Sequence, residues 1–340
     1  MTRLEQFITR YRPFSLGLAT GLLCSVAVAQ SDLTNQAVTS DLRLKPIYGY
    51  QPTWSPDGRK IAFLRRFSDP VARISNIVVH IFVMNVDGTS QRQVTRIDNF
   101  NESFSWSPDS SRIVFESDRD HPFSLDINNP QQWELYVINA DGTGVRQLTN
   151  SDQHSLWPAW SPDGKTIAYT TGASGSAAIY QMNPDGSGQT RLSAGAGKFS
   201  KPAWSPDGSK IAMLGAGFRD FSIYLMDANG SGIVKLADTP GRPSDPAWSP
   251  NGSMIAFSAE GPLNPIDCEN DWDKPDQIYV VTVRSGKLKQ LTHDCDRNSG
   301  PSWSPDGLKI IFAVGPGKPS IYLMDADGDN KTQMTDVPVF

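Results

Sequence analysis

The residues of this chain that could do chemistry are few, and they fall in loops. His121 and His154, with Asp118, Asp120 and Asp126, are side-chain types able to hold a metal ion or supply a general base. They form no ligand motif. No His-Glu-x-x-His, Cys-x-x-Cys, glycine-rich phosphate loop or Gly-x-Ser-x-Gly nucleophile elbow occurs in the sequence. No catalytic residue, metal site or cofactor is therefore assigned. A second set suits recognition instead. Tyr50, Glu102, His154, Trp157, Lys198, Lys201, Arg242, Asp245 and Arg297 each lie a few residues upstream of a tryptophan that recurs along the chain. Aromatic rings with charges of both signs on a concave rim fit a protein or polar ligand.

The elements that must position these residues follow from the recurrence. Trp-Ser-Pro-Asp-Gly, or a near variant, starts at Trp54, Trp106, Trp160, Trp204, Trp248 and Trp303, spaced 44 to 55 residues apart. A repeat of that length built from short strands predicts stacked four-stranded units closed into a ring. Lys201–Ala237 shows one unit: a first strand over 202–205, a Pro-Asp-Gly turn, a second over 210–214, a third over 222–227 and a fourth over 234–237. No window has helical periodicity, so the expected class is all-β, a six-bladed β-propeller of four-stranded antiparallel blades. Each signature tryptophan is expected in the wedge between blades. The acidic loops 183–186 and 325–330 lack the terminal Glu of a calcium loop and read as hairpin turns.

Antiparallel strands send the second-to-third and fourth-to-first connections to one face. The three large insertions, Arg65–His80, Ser117–Trp133 and Ala259–Gln277, all lie between second and third strands. The candidate rim residues lie in the fourth-to-first crossings, around the mouth of a central channel. Function is expected on that face. Asp41–Lys45 is expected to act as an extra fourth strand that clasps blade six and covers its edge.

Cys268 lies in the blade-five insertion and Cys295 in the crossing from blade five to blade six, so both fall on the insertion face and a disulfide is expected between them. The acidic residues around them, including Asp267, Glu269, Asp276 and Asp294, read as a solvated face. At the N-terminus, Arg3, Arg10 and Arg12 flank an apolar run that ends in Ala27-Val28-Ala29. That layout predicts a signal peptide over 1–29, a short linker over 30–40 and a single propeller domain over 41–340. The run is shorter than the ~20 residues a membrane span needs. The expected product is periplasmic or secreted, with no stable membrane insertion after cleavage. Net charge is −5, and more negative once the leader's three arginines are removed. That excludes a nucleic acid partner held by counterion release.

The pattern Pro-x-Trp-Ser-Pro-Asp-Gly-x-x-Ile-Ala, then Ile-Tyr-x-Met-Asn-x-Asp-Gly, then Leu-Thr resembles the propeller repeat of the TolB family. It stands as Pro158–Tyr169 and Ile179–Gly186, with copies across 41–340. The resemblance implies an exported protein-binding scaffold of the cell envelope, related to envelope integrity or to the Tol–Pal system. In that family the propeller binds the lipoprotein Pal over the channel mouth, so a Pal-like lipoprotein is the implied partner. The segment before the first strand is too short for the N-terminal α/β domain of TolB. Similar repeats occur in prolyl-oligopeptidase-like peptidases and carbohydrate-active proteins. The alternative is therefore a propeller enzyme, a lyase or hydrolase, acting on a polar polymer such as a saccharide or peptide at the mouth.

Overall fold

Each blade is organised around its Ser-Pro-Asp-Gly turn. In blade four, Ser205 Oγ donates to Asp207 Oδ1 at 2.6 Å, and the same oxygen receives the Ser209 N–H at 3.0 Å. Lys210 N–H closes the turn on Ser205 Oγ at 2.9 Å, while Gly208 takes the positive φ, 70°, that the reversal requires. Blade five keeps the same bonds with Asn251 in place of the aspartate, Ser249 Oγ donating to its Oδ1 at 2.8 Å.

The computed structural model describes residues 45–68, 77–96, 101–120, 132–172, 177–193, 195, 197–215, 222–261, 275–315 and 320–335, all within the unit Asp41–Phe340. Among them are 24 strands in six sheets, each sheet four antiparallel strands in sequence order, and no helix. Blade four runs through Phe199–Trp204, Lys210–Gly215, Ser222–Asp227 and Val234–Asp238. The fold is the all-β six-bladed propeller expected.

The threonine that follows an apolar residue at the end of most blades has a backbone reason. The threonine hydroxyl accepts the third-strand N–H at the point where the short fourth strand breaks off: Thr95 for Ile81 at 3.0 Å, Thr149 for Leu135 at 2.8 Å and Thr292 for Ile278 at 2.9 Å. Blade four has Ala237 there, which cannot make this bond. Its fourth strand instead continues to Asp238, pairing Ile223 with Ala237.

The core is six seams rather than one centre. Each buried cluster joins adjacent blades, for example Ala62, Leu64 and Ile81 of blade one with Trp106, Ile113 and Phe115 of blade two. The signature tryptophans lie in these wedges as expected. The indole N–H of Trp106, Trp204 and Trp248 donates back to the carbonyls of Thr53, Ala159 and Ala203, each the residue before the previous blade's tryptophan. The ring closes by the same means. Ile61 and Phe63 of blade one pack with Ile311 and Ile321 of blade six, and the backbone N–H of Trp54 donates to Ser302 Oγ at 3.3 Å.

Two expectations about blade one change. Half of the segment Arg65–His80 is strand, since the second strand runs to Ser68 and the third starts at Ile77, with Arg65 opposite His80, and 69–76 lie outside the described residues. Polar residues in a strand pair had read as loop. Lys45 belongs to the first strand of blade one, opposite Ser68. The remainder of the expected clasp, 41–44, lies outside the described residues, and blade six has its own fourth strand, Thr332–Thr335.

Candidate functional site: the channel mouth

Every innermost strand carries an irregularity just before its tryptophan, where the pairing to the second strand slips. The residue three before the tryptophan sits at this bulge: Gln51, Ser103, Trp157, Lys201, Asp245 and Gly300. Five of the six precede proline, and those five have positive φ, between 50° and 60°. Proline disfavours the ordinary helical region for the residue before it. A left-handed conformation at four non-glycine residues costs of order 1–3 kcal/mol each and is kept only where the surroundings impose it. The bulges re-aim these side chains. All six residues line one central cavity of about 410 Å³.

The surroundings that impose the bend come from the preceding blade. Glu116, in the second strand of blade two (Arg112–Ser117), accepts the Trp157 N–H at 2.7 Å and the Ser103 hydroxyl at 2.9 Å, both on Oε2. Thr170 does the same for Lys201, taking its N–H on Oγ1 at 3.1 Å. Glu116 is 1% exposed. Burial raises its carboxyl to about 8, with Glu102 adding repulsion against the hydrogen bond from Trp157, so it is neutral at pH 7.

Around the mouth the charges pair closely. Lys201 Nζ lies 2.8 Å from Asp245 Oδ1 and 2.5 Å from Ser244 Oγ, and 5.4 Å from the centroid of the Trp157 ring. Glu102 keeps an exposed side chain on the rim, yet the concave wall desolvates its carboxyl and raises it, against the pull of Arg66 and Lys201. The mouth thus presents an indole, an ion pair and the raised carboxyl of Glu102, and at Gly300 the backbone packs close against Gln51.

The structure brings Trp157, Lys201, Asp245 and Glu102 together. Tyr50 instead packs against the seam of blades one and two. His154 serves the backbone, its Nδ1 accepting the Trp133 N–H at 3.2 Å, and burial lowers its pKa. Lys198, Arg242 and Arg297 are exposed. Of the companions considered for His154, Asp120 accepts the Tyr136 hydroxyl and Asp118 is buried, while His121 and Asp126 lie outside the described residues. Cys268 also lies outside them; Cys295 sits in a crossing pinned by Gln277 and Asn298, which donate to the Asp294 and Asp296 carbonyls and the Asp294 carboxylate. Among the described residues no cluster of His, Cys, Asp or Glu could hold a metal ion, and no helix is long and apolar enough to cross a membrane.

Sequence reasoning missed Gln51, Ser103, Gly300 and Glu116. The position three before each signature tryptophan would have found the first three, and a lone carboxylate inside Val114-Phe115-Glu116 the fourth.

Comparison with known proteins bears on this ring. Residues 123–266 match the TolB beta propeller domain family. An uncharacterized protein of Agrobacterium fabrum is 25% identical over 39% of this chain and 39% of its own length. The Tol-Pal system protein TolB of Blochmanniella pennsylvanica is 42% identical over 15% of this chain and 12% of its own. The chain thus spans well under two thirds of these relatives. Among solved structures, TolB from Acinetobacter baumannii superposes with a TM-score of 0.61 at 19% identity, covering 84% of this chain and 62% of that one. An oligogalacturonate lyase in complex with manganese superposes with 0.56 at 13% identity, covering 85% and 78%. At such identities the two superpositions speak for fold alone. Six blades of four antiparallel strands and the recurring tryptophan signature make this chain a six-bladed β-propeller, whose residues 123–266 resemble the TolB beta propeller domain.

Proposed function

We propose that this chain is an exported binding module of the cell envelope that holds a protein partner, a Pal-like lipoprotein in class, over the channel mouth. The observation that carries the reading is the ring of bulged residues, whose strained backbone is kept in several blades to aim Trp157, Lys201 and Asp245 into one cavity. Lys198, Arg242 and Arg297 then form the charged rim that steers the partner. The TolB likeness supports the envelope role, as does a leader over 1–29 that would direct export. The competing reading, cleavage of a polar polymer at the same mouth, draws support from the fold shared with the lyase.

One experiment separates them. The mature protein, immobilised, should retain an envelope lipoprotein from a membrane extract, and Lys198→Glu, Lys201→Glu and Arg242→Glu combined should abolish retention. Shortening of polygalacturonate by the same preparation, without retention of any partner, would sink the binding reading. We also propose the Cys268–Cys295 disulfide, supported by Cys295 being disulfide-bonded. Thiol titration of denatured mature protein should then find none; two free thiols would refute it.

A further inference from the structure

The repeat itself supplies a template for a second site, on the face of the signature turns. The residue just before the second strand's first isoleucine is Lys60, Arg112, Thr166, Lys210, Met254 and Lys309 in blades one to six. In blade two it reaches across the seam to the next blade's tryptophan, whereas Lys60, Lys210 and Lys309 pair with Asn85, Asp227 and Asp325 at the end of their own third strands. At the seam of blades two and three, Arg112 places its guanidinium 4.9 Å from the centroid of the Trp160 ring, and Trp160 is 6% exposed. At the next seam the same register holds Thr166, which is too short to cover Trp204. Trp204 stays half-buried, its indole held by the bond to the Ala159 carbonyl at 3.2 Å.

A cavity of about 510 Å³ opens there, walled by Thr166, Gln181, Trp204, Pro162, Asp163 and Asp207. Gln181 is a second departure in the same blade. Its register holds Val83, Val137, Leu225, Val280 and Leu323 elsewhere. The cavity therefore offers an indole, an amide and two carboxylates. Each carboxylate is held below the ordinary range by its turn donors, Ser161 and the Lys165 N–H for Asp163, and Ser205 with Ser209 for Asp207, so both are charged at neutral pH. Lys165 approaches Asp163 only at 4.0 Å and is largely exposed.

We propose that this groove takes an arginine side chain of a peptide or protein partner, its guanidinium stacked on Trp204 as Arg112 stacks on Trp160. The indole selects a cation with a flat face, Asp163 and Asp207 match its charge, and the Gln181 amide oxygen accepts an N–H. Trp204 also lines the central cavity, but Thr166, Gln181, Asp163 and Asp207 line the groove alone, so their substitution tests the groove without touching the mouth.

The test uses the mature chain and the peptide acetyl-Gly-Arg-Gly-amide, with citrulline replacing arginine in the control. The readout is the indole N–H signal of Trp204, identified among the nine tryptophans by its loss in Trp204→Phe. The arginine peptide should shift this signal saturably, and the uncharged citrulline peptide should bind roughly three- to thirtyfold more weakly. Thr166→Arg should fill the groove from within, as Arg112 does, and abolish the shift while leaving the melting temperature unchanged or higher. Gln181→Leu, the residue type of blades four and six, should weaken binding about threefold. Equal binding of both peptides, no saturable shift, or binding undiminished in both Thr166→Arg and Gln181→Leu would overturn the proposal.

Discussion

A carboxyl buried at a register where the other blades place Leu64, Thr170, Leu214, Ser258 and Ala313 is costly unless it is neutral. Glu116 meets that condition, raised to about 8 by burial and by Glu102. A folded-state pKa above the unfolded value stabilises the fold fully below the ordinary glutamate range. That contribution is lost as pH rises toward 8. Glu116→Gln keeps an acceptor for the Trp157 N–H and removes the titration. The variant should match or trail the wild type at pH 5 and exceed it at pH 9, by on the order of 5 °C in melting temperature. Parallel melting curves across that range would show that Glu116 does not titrate as described. Glu116→Leu, which leaves the Trp157 N–H and the Ser103 hydroxyl without their acceptor, should cost about 1–3 kcal/mol at pH 5. The residue escaped a reading that sought chemistry in loops, because a buried carboxylate in a strand leaves no mark except a charge in an apolar run.

The hairpins joining third and fourth strands pack one blade onto the last, and they do so through glycine. In Gly230 a Cβ would lie 2.0 Å from the Leu192 carbonyl oxygen, and φ is +86°. Gly195 has the same φ with nothing within 4 Å, which separates strain from collision. Gly195→Ala should cost about 1 kcal/mol, the left-handed backbone alone. Gly230→Ala should cost about 3 kcal/mol or more, since the hairpin must lift off the Leu192 strand. Equal losses in denaturant unfolding would mean that the hairpin does not seat as described. These turns were legible in the sequence because Asp-Gly and Asn-Gly chemistry is local. The bulges were not, because a positive φ at Trp157 or Lys201 expresses no propensity of those residues. It is imposed by Pro158 and Pro202 ahead and by Glu116 and Thr170 from the neighbouring blade. The expected crossings hold His154, Lys198 and Arg242, while Tyr50, Glu102, Trp157, Lys201, Asp245 and Arg297 lie in the innermost strands, and which of them enter the cavity is decided by contacts between repeats.

Across the whole ring, the same turn carboxylate is repeated, so a small local effect becomes a global one. Asp57, Asp109, Asp163, Asp207 and Asp306 each accept from a serine hydroxyl and a backbone N–H, and each is held below the ordinary aspartate range, Asp109 and Asp207 to about 2. A depressed folded-state pKa stabilises the fold above the unfolded pKa and is lost as pH falls through the folded value, here from about 4 down to about 2. These groups are largely exposed, so each contributes little alone, and screening by salt reduces it further. Blade five shows what removes the titration without removing the turn, since Asn251 makes the same bonds. Replacing all five aspartates with asparagine should therefore leave the neutral-pH fold intact and move the acid-unfolding midpoint to lower pH, with a shallower dependence below pH 4. Circular dichroism during acid titration reads this directly. An unchanged midpoint would show that these turn carboxylates do not set the acid sensitivity of the fold. Because every seam is built alike, the response should also be cooperative: six turns lost together open one ring, whereas a blade that unfolded alone would show as a separate early transition.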